Sequence, residues 1–308
     1  LHPNSIIVPV AINVSEKIGN VNGKKFLTSV VAGYEIATRI GSAAGTELLL
    51  RGFHPQGTNG TIAATITAGK LMNFNTEQMI NAIGIAGSLG AGLMAAQEGA
   101  MVKRLHSGRA AQAGVLAAEL SAKNFTGIQN IVEADYGGFL SSFSGKNDFA
   151  RSTRNLYKEW ECINTGIKPY ASVTSIHTAL DCLKHIMKNN NILAKDIKNI
   201  KAKISHPTYV HCAWSYKNHN ITSAQMNIYY GLALIALEGE LFVNQFSKDK
   251  ISNPEILDFM KKITAEVDPK IESLGHEFRH MASIELITND DKRFNHTEKY
   301  RKGSPENP

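Results

Sequence analysis

The chain has 308 residues, of which 43% are hydrophobic and 19% are charged, a composition that predicts a globular protein with a sizeable core and excludes a largely disordered chain. A net charge of +6 is mild for this length, and basic residues are interspersed with acidic ones, so nucleic acid is not expected as a partner. No apolar run is long enough to span a bilayer, so a membrane is not expected as a partner either.

The first part of the chain, residues 1–164, is predicted to be a helical core domain, of which this sequence holds a part. Apolar residues recur at helical spacing, and small residues that permit close helix packing are frequent. Asn75 followed by Gln78 has the spacing of a capping box at the start of a helix. No run shows the alternation of a strand. The predicted helices cover residues 26–41, 60–72, 75–87 and 109–125.

The pattern changes near residue 165, where predicted strands join the helices. In residues 197–205, apolar Ile200, Ala202 and Ile204 alternate with polar residues, which predicts a strand with one buried face. Residues 282–300 contain two alternating runs around a polar turn, which predicts a hairpin. Further helices are predicted at residues 173–189 and 222–239.

We therefore predict a mainly α fold with an α+β part. A large all-helical domain covers residues 1–164, and a smaller α/β lid domain covers residues 165–300. Residues 301–308 are predicted to be a linker that returns towards the helical domain. Three cysteines without metal-binding spacing, Cys162, Cys182 and Cys212, indicate plain thiols in a reducing compartment. We expect a cytoplasmic protein, or a mitochondrial one if the source is eukaryotic.

His54 lies in the stretch "RGFHPQGTNG", where Gly52, Gly57 and Gly60 predict a loop before a helix. Such a loop lets backbone amides approach a ligand, and the helix N-terminus that follows favours an anion. A histidine that caps the helix is the alternative interpretation. A phosphate-binding loop is excluded because no Gly-Lys-Ser/Thr follows the glycines.

The stretch "VKRLHSGR" places Lys103, Arg104, His106 and Arg109 within seven positions, next to Ser107 and Gly108. These cations could neutralise several carboxylates, and the backbone amides at Ser107 and Gly108 could reach the same anion. A solvated charged helix end is the alternative. His177, near a helix start, and Tyr230, on an apolar helix, could be either structural or functional. Histidines, a lysine and tyrosines are groups for proton transfer on a polycarboxylate without a metal or organic cofactor.

Taken in order, several stretches resemble the MmgE/PrpD family, which holds 2-methylcitrate dehydratases, cis-aconitate decarboxylases and related lyases and epimerases. The resemblance runs nearly end to end. "KRLHSGRAA" together with the upstream "GFHPxGTxG" pattern is its most specific part. The matching stretches also include "HPNSIIVPVAINVSEKIG", "VVAGYEIATRIG", "EQMINAIGIAGSLGAGLM", "YGGFLSSFS", "KPYASVTSIHTALD" and "RKGSPENP".

This resemblance implies a large helical domain with a smaller α/β lid, a homodimer, and a site between the domains that needs no cofactor or metal. The implied catalytic residues are His2, His54, Lys103, His177 and Tyr230, with Tyr229 as the neighbouring alternative to the last. Arg104, His106, Ser107 and Arg109 are assigned to substrate binding. In this scheme Lys103 holds the charge of the substrate, His54 and His177 are an acid/base pair, Tyr230 donates a hydrogen bond, and His2 delivers or accepts a proton.

The chain departs from the family pattern at both ends. Family members carry a further helical segment before the first matched stretch, including an aspartate that joins the site, and further helices after "KGxPENP". Two interpretations stay open: the chain is a part of a longer protein, to which the predicted activity applies, or it is naturally this short and its activity is in doubt.

The resemblance implies a cofactor-free lyase that acts on a small tricarboxylate. Dehydration of a 2-methylcitrate-like 2-hydroxy acid is the function favoured here. A cis-aconitate decarboxylase and a catalytically inactive anion-binding member are the alternatives, since the same residue types serve each of them.

Overall fold

The computed structural model describes residues 1–217 and 220–308. They form two compact units, which we describe separately. The N-terminal unit comprises Leu1–Ala96 and Met101–Asn164, and the C-terminal unit comprises Gln97–Ala100 and Thr165–Pro308. The fold is mainly α with an α+β part, as the sequence predicts. None of the helices in the described ranges combines the length and the apolar character that crossing a membrane requires.

The N-terminal unit is helical, and its only β-type pairing among the described residues is an isolated bridge between Phe53 and Leu93. A capping box at Asn75 and Gln78 begins the fifth helix, as predicted. The helices are α1 (Asn4–Ile18), α2 (Gly23–Ala44), α3 (Glu47–Leu50), α4 (Pro55–Leu71), α5 (Thr76–Leu89), α6 (Val102–Ser121), α7 (Phe139–Phe143) and α8 (Phe149–Thr153).

Helix α4 is the central element of this unit and packs against α1, α2, α5 and α6. Nearly every residue from Gln56 to Leu71 is buried. Small residues make this possible, because a methyl group at Gly33 of α2 would lie 2.1 Å from Thr67 Oγ1, and one at Gly114 of α6 would lie 2.4 Å from Ala64 Cβ. The backbones of α2 and α6 therefore lie closer to α4 than larger residues would allow.

Two helices begin earlier than the sequence analysis predicted. Helix α4 begins at Pro55 rather than at residue 60, because Pro55 occupies the first helical turn, where its missing N–H is no loss. The prediction of a glycine-rich loop is therefore wrong beyond residue 54, because the residues that follow belong to α4. Gly57 instead allows a close approach, since a Cβ there would lie 1.9 Å from the carbonyl oxygen of Ala91.

Helix α6 begins at Val102 and not at residue 109, so the basic stretch forms its first two turns. Backbone amides beyond the first turn of a helix donate to carbonyls four residues earlier. The amides of Ser107 and Gly108 are used in this way, so the expectation that they approach an anion is wrong.

A buried ion pair fixes the end of the N-terminal unit. Arg39 of α2 is 1% exposed, and its Nε donates to Glu35 Oε1 at 2.5 Å. Its Nη1 and Nη2 donate to the carbonyl oxygens of Arg154 (2.7 Å) and Glu159 (2.8 Å). The Cys162 N–H donates to Glu35 Oε2 at 2.9 Å. Burial alone would raise the pKa of Glu35, but the Cys162 N–H and Arg39 outweigh it and lower that pKa.

The C-terminal unit combines helices with a four-stranded sheet in the order β2-β1-β3-β4. Strands β1 and β2 are parallel, and the pairs β1–β3 and β3–β4 are antiparallel. The elements are α9 (His177–Asn189), β1 (Ile197–Ile204), α10 (His206–Cys212), α11 (Ile221–Met226), α12 (Ile228–Glu238), α13 (Lys248–Ile251), α14 (Pro254–Met260), β2 (Ile263–Val267), α15 (Pro269–Ser273), β3 (Ala282–Thr288) and β4 (Arg293–Glu298).

The predicted strand and hairpin are confirmed. Ile200, Ala202 and Ile204 of β1 are buried, together with alternate residues of β3, and α9 packs against β3 and β4. The long helix predicted over residues 222–239 is instead two helices separated at Asn227. The Asn227 side chain accepts from the N–H groups of Tyr229 and Tyr230 and so caps α12.

We expect Gly114→Ala to lower the free energy of unfolding by about 1–3 kcal/mol, because the new methyl group forces α4 and α6 apart. The matched control is Gly108→Ala in the same helix, where a Cβ meets no atom within 4 Å. That change should add about 0.5–1 kcal/mol, since alanine favours a helix over glycine. Urea unfolding of both variants measures the difference. Equal stabilities of the two variants would contradict close packing at Gly114.

Candidate active-site residues

His54 and His106 form a direct hydrogen bond in the N-terminal unit. Their Nδ1 atoms are 2.8 Å apart, and their ring centroids are 5.0 Å apart at an interplanar angle of 54°. A bond between two Nδ1 atoms requires that one ring carry the hydrogen and the other accept it. The two imidazoles therefore share one hydrogen, and their protonation states are coupled.

The local sequence explains this geometry. Pro55 keeps His54 in an extended conformation as the N-cap of α4, and the His54 N–H donates to the Gly92 carbonyl at 2.9 Å. Gly92 has a φ of +147°, and a Cβ there would lie 3.1 Å from His106 Nδ1. A side chain at this position would therefore press on the ring of His106. Of the three glycines in "GSLGAG", Gly92 thus makes room for His106, whereas Gly87 faces Ile131 and Gly90 faces the Thr58 backbone.

Lys103 lies on the same side of α6 as His106, since residues three apart share a helix face. It is 8% exposed, which is unusual for a lysine. Burial, followed by the positive charge of Lys103, lowers the pKa of His106. The neutral form of His106 therefore predominates at neutral pH, beside a buried ammonium group.

The backbone of His2 is hydrogen-bonded to the N-terminal end of α4, which follows His54. Its backbone N–H donates to Gln56 Oε1 at 2.8 Å, and its carbonyl accepts from Gln56 Nε2 at 2.9 Å. Gln56 is buried and stands two residues after His54. The structure thus brings His2, His54, Lys103 and His106 to neighbouring positions of one unit.

Arg104 and Arg109 lie on the exposed part of α6, and Arg109 Nη1 donates to Gln112 Oε1. Ser107 is partly buried. The assignment of these three residues to substrate binding stays a prediction. His106 was assigned to substrate binding only, and the sequence analysis missed its bond to His54. The three-residue spacing places Lys103 and His106 on one helix face, but it carries no signal for a bond to His54, which lies 52 positions away.

His177 is the first residue of α9 and lies in the C-terminal unit. Its side chain is fully buried, and its ring meets Tyr170 edge-on at 5.1 Å. Burial, followed by the positive charge of Lys168, lowers the pKa of His177 to about 3, with a smaller contribution from Arg301 and an opposing one from the Ser172 backbone. His177 is therefore neutral at physiological pH.

Tyr230 lies in the core of the C-terminal unit with no exposed surface. Its hydroxyl donates to the Gln245 carbonyl at 2.7 Å. Tyr229 is partly buried, and its hydroxyl donates to the Ala213 carbonyl at 3.3 Å. Donation of a hydrogen bond from Tyr230 to a substrate stays a prediction, and it requires the bond to Gln245 to break.

The N-terminal and C-terminal halves of the chain match the two domain models of one family. Residues 1–152 match the MmgE/PrpD N-terminal domain, and residues 170–308 match the MmgE/PrpD C-terminal domain. The chain belongs to the MmgE/PrpD family. This establishes the resemblance on which the predicted site residues depend.

Curated proteins similar to this MmgE/PrpD chain carry the name cis-aconitate decarboxylase. A cis-aconitate decarboxylase-like protein of Aspergillus oryzae is 30% identical over 296 residues, which cover 90% of this chain and 61% of that protein. The cis-aconitate decarboxylase of Aspergillus terreus is 28% identical over 300 residues, covering 90% and 60%. That of Homo sapiens is 24% identical over 279 residues, covering 87% and 57%. The chain spans about 60% of the length of these relatives.

A metal site is disfavoured at one further cluster of this MmgE/PrpD protein. Nitrogen and oxygen atoms of His185, His296 and Glu298 lie within 4.8 Å of one another. The two imidazole rings, however, are stacked 3.6 Å apart at an angle of 4°. Ring lone pairs lie in the plane of the ring, so two parallel stacked rings cannot both point at one ion. His296 Nε2 also bonds to Glu298 at 2.7 Å.

We expect the His54–His106 bond to be visible by nuclear magnetic resonance. Its shared hydrogen is held between two nitrogens and should exchange slowly with water. A downfield imidazole N–H signal should appear in the wild-type protein and vanish in His106→Phe, which keeps a ring but has no nitrogen. His296→Gln serves as the control and should retain the signal. Persistence of the signal in His106→Phe would contradict the bond.

The low pKa of His177 predicts a stability that falls in acid. The unfolded chain binds this proton near its ordinary pKa of 6.5, whereas the folded chain does so only near 3. This contribution to stability is therefore complete above about pH 6.5 and is lost progressively as the pH falls towards about 3. Urea unfolding of wild type and His177→Gln should show a shallower pH dependence in the variant. Parallel curves would show that His177 is not buried in its neutral form.

Proposed function

We propose that this protein is a carboxy-lyase that removes carbon dioxide from an unsaturated tricarboxylate of the cis-aconitate class. The observation that carries the proposal is the hydrogen-bonded pair His54–His106 beside the buried Lys103, in a chain of the MmgE/PrpD family. The names of the curated relatives support decarboxylation better than dehydration of a 2-methylcitrate-like acid, which the sequence analysis favoured.

The reaction needs charge stabilisation and one proton. The bond between a carbon and its carboxylate breaks, carbon dioxide leaves, and the electron pair passes into the neighbouring unsaturated system. A proton then adds to carbon, so that one carboxylate and one proton become carbon dioxide and a C–H bond. A fixed cation stabilises the negative charge that develops, and an imidazole supplies the proton.

Lys103 and His54 are assigned to these two tasks. The ammonium group of Lys103 is buried, where a charge acts more strongly than in water. His54 is proposed to protonate the carbon, and His106 positions it through the Nδ1 bond. Roles for His2, His177 and Tyr230 are proposed as the family resemblance implies them. A homodimeric assembly and a cytoplasmic or mitochondrial location also stay proposals.

The assay that tests the proposal follows carbon dioxide release from cis-aconitate. Parallel reactions with 2-methylcitrate and citrate follow the unsaturated acid by its absorbance. Carbon dioxide from cis-aconitate supports the proposal, and an unsaturated product from 2-methylcitrate alone would favour the hydro-lyase instead. A folded protein that turns over none of the three would favour an inactive anion-binding member of the family.

We expect Lys103→Met to lower kcat by at least about 100-fold, because one preorganised charge in an active site contributes at this scale. Lys103→Arg keeps the charge in a different shape and should retain more activity than Lys103→Met. Lys123→Met, an exposed position just after α6, is the control and should leave kcat unchanged. Activity of Lys103→Met near that of Lys123→Met would remove the lysine from the mechanism.

A further inference from the structure

Two segments of the C-terminal unit run side by side next to His177. The Ile167 N–H donates to the Gly303 carbonyl at 2.7 Å, and a methyl group at Gly166 would lie 2.9 Å from Arg301 Nη1. The guanidinium of Arg301 therefore lies against the backbone of residue 166. Its charge also lies close enough to His177 to lower that pKa.

Asp181 anchors both sides of this region. Its Oδ1 accepts from the Tyr170 hydroxyl at 2.7 Å, and its Oδ2 accepts from the Lys302 N–H at 3.0 Å. Tyr170 in turn packs edge-on against His177. Both oxygens of this carboxylate are thus occupied in holding the residues around Arg301 in place.

Several polar atoms here are buried without a hydrogen-bond partner among the described residues. They are His280 Nδ1, Arg301 Nη1, and the hydroxyl oxygens of Ser172 and Ser304, together with His177 Nδ1 and Nε2. The Ser172 backbone lies close enough to His177 to raise its pKa, but it makes no well-formed hydrogen bond with either ring nitrogen. His177, Ser172 and Ser304 are each more than nine-tenths buried. A buried polar atom that lacks a partner costs free energy, so this concentration in one place indicates a ligand that would supply the partners.

The charge of the region defines the ligand. Within the described ranges, Arg301 Nη1 is buried without a hydrogen-bond partner. Burial lowers the pKa of Arg301, although the charges of Glu306 and Asp181 act to raise it. Arg279, Arg301, His211 and His177 all act to lower the pKa of His280 after burial itself. A partly buried guanidinium beside neutral imidazoles matches a planar anion that it can bind through two parallel hydrogen bonds.

We propose that Arg301 binds one carboxylate group of a polycarboxylate ligand, with His177, His280 and Ser304 supplying further hydrogen bonds. This inference rests on the proposed function only for the class of ligand, a small tricarboxylate. It makes Arg301 a determinant of specificity, because the site would distinguish ligands by the number and placement of their carboxylates. The sequence analysis assigned residues 301–308 to a linker and gave Arg301 and His280 no role.

The experiment measures binding of tricarballylate, a saturated tricarboxylate, by titration calorimetry to the wild-type chain, Arg301→Met and Arg301→Lys. Two dicarboxylates are titrated in the same way: glutarate, which lacks the central carboxylate of tricarballylate, and methylsuccinate, which lacks a terminal carboxylate. Arg301→Met should bind tricarballylate about 10- to 100-fold more weakly than wild type, the range of a charge-assisted hydrogen-bonded contact. One of the two dicarboxylates should bind wild type and variant equally, because it lacks the carboxylate that Arg301 holds.

The control is Arg293→Met. Arg293 is exposed on β4, and its substitution removes the same charge but should not change binding. Unchanged affinity in Arg301→Met, an equal loss for all three ligands, or no binding of tricarballylate by wild type would each overturn the proposal. Arg301→Lys keeps the charge but not the paired hydrogen bonds. If Arg301→Met does not fold, the affinity of Arg301→Lys for tricarballylate, compared with that of wild type, is the deciding measurement. Carbon dioxide release is measured separately, so an inactive chain that still shows the Arg301-dependent binding would refute the proposed function and leave this inference standing.

Discussion

The close approach of α4 and α6 is the constraint on which the N-terminal site depends. Gly114 of α6 faces Ala64 and Thr61 of α4 at distances that exclude even a methyl group. His106 lies in the first turns of α6, and His54 immediately precedes α4 as its N-cap. Because the helix axes are held near each other by small side chains, the two imidazoles can bond directly without a bridging group. A packing feature thus determines a chemical one.

Burial has the same electrostatic effect in both units. It lowers the pKa of His106 beside Lys103 and that of His177 beside Lys168, since charging an imidazole is costly away from water and near another cation. Each unit therefore presents a neutral histidine next to a permanent positive charge. An anion that binds to such a cluster relieves the repulsion and favours protonation of the imidazole, which links ligand binding to proton uptake.

Local signals in the sequence predicted much of the fold, and long-range contacts account for what was missed. The capping box at Asn75 and the hairpin over residues 282–300 depend on neighbouring residues, and both are confirmed. The start of α4 was misplaced because Gly57 and Gly60 disfavour a helix locally, whereas tertiary packing requires them there. His54 and His106 are 52 positions apart, and Arg301 approaches His177 across more than a hundred, so neither relation could be inferred from spacing.

The buried pair Glu35–Arg39 also bears on how this part of the protein can diverge. Arg39 recognises the segment after α8 only through the carbonyl oxygens of Arg154 and Glu159, and Glu35 recognises it through the N–H of Cys162. Backbone groups are the same whatever side chain is attached to them. Arg39 therefore holds the backbone at Arg154 and Glu159 through groups common to every amino acid, and the side chains at these two positions can drift in evolution while Arg39 is retained.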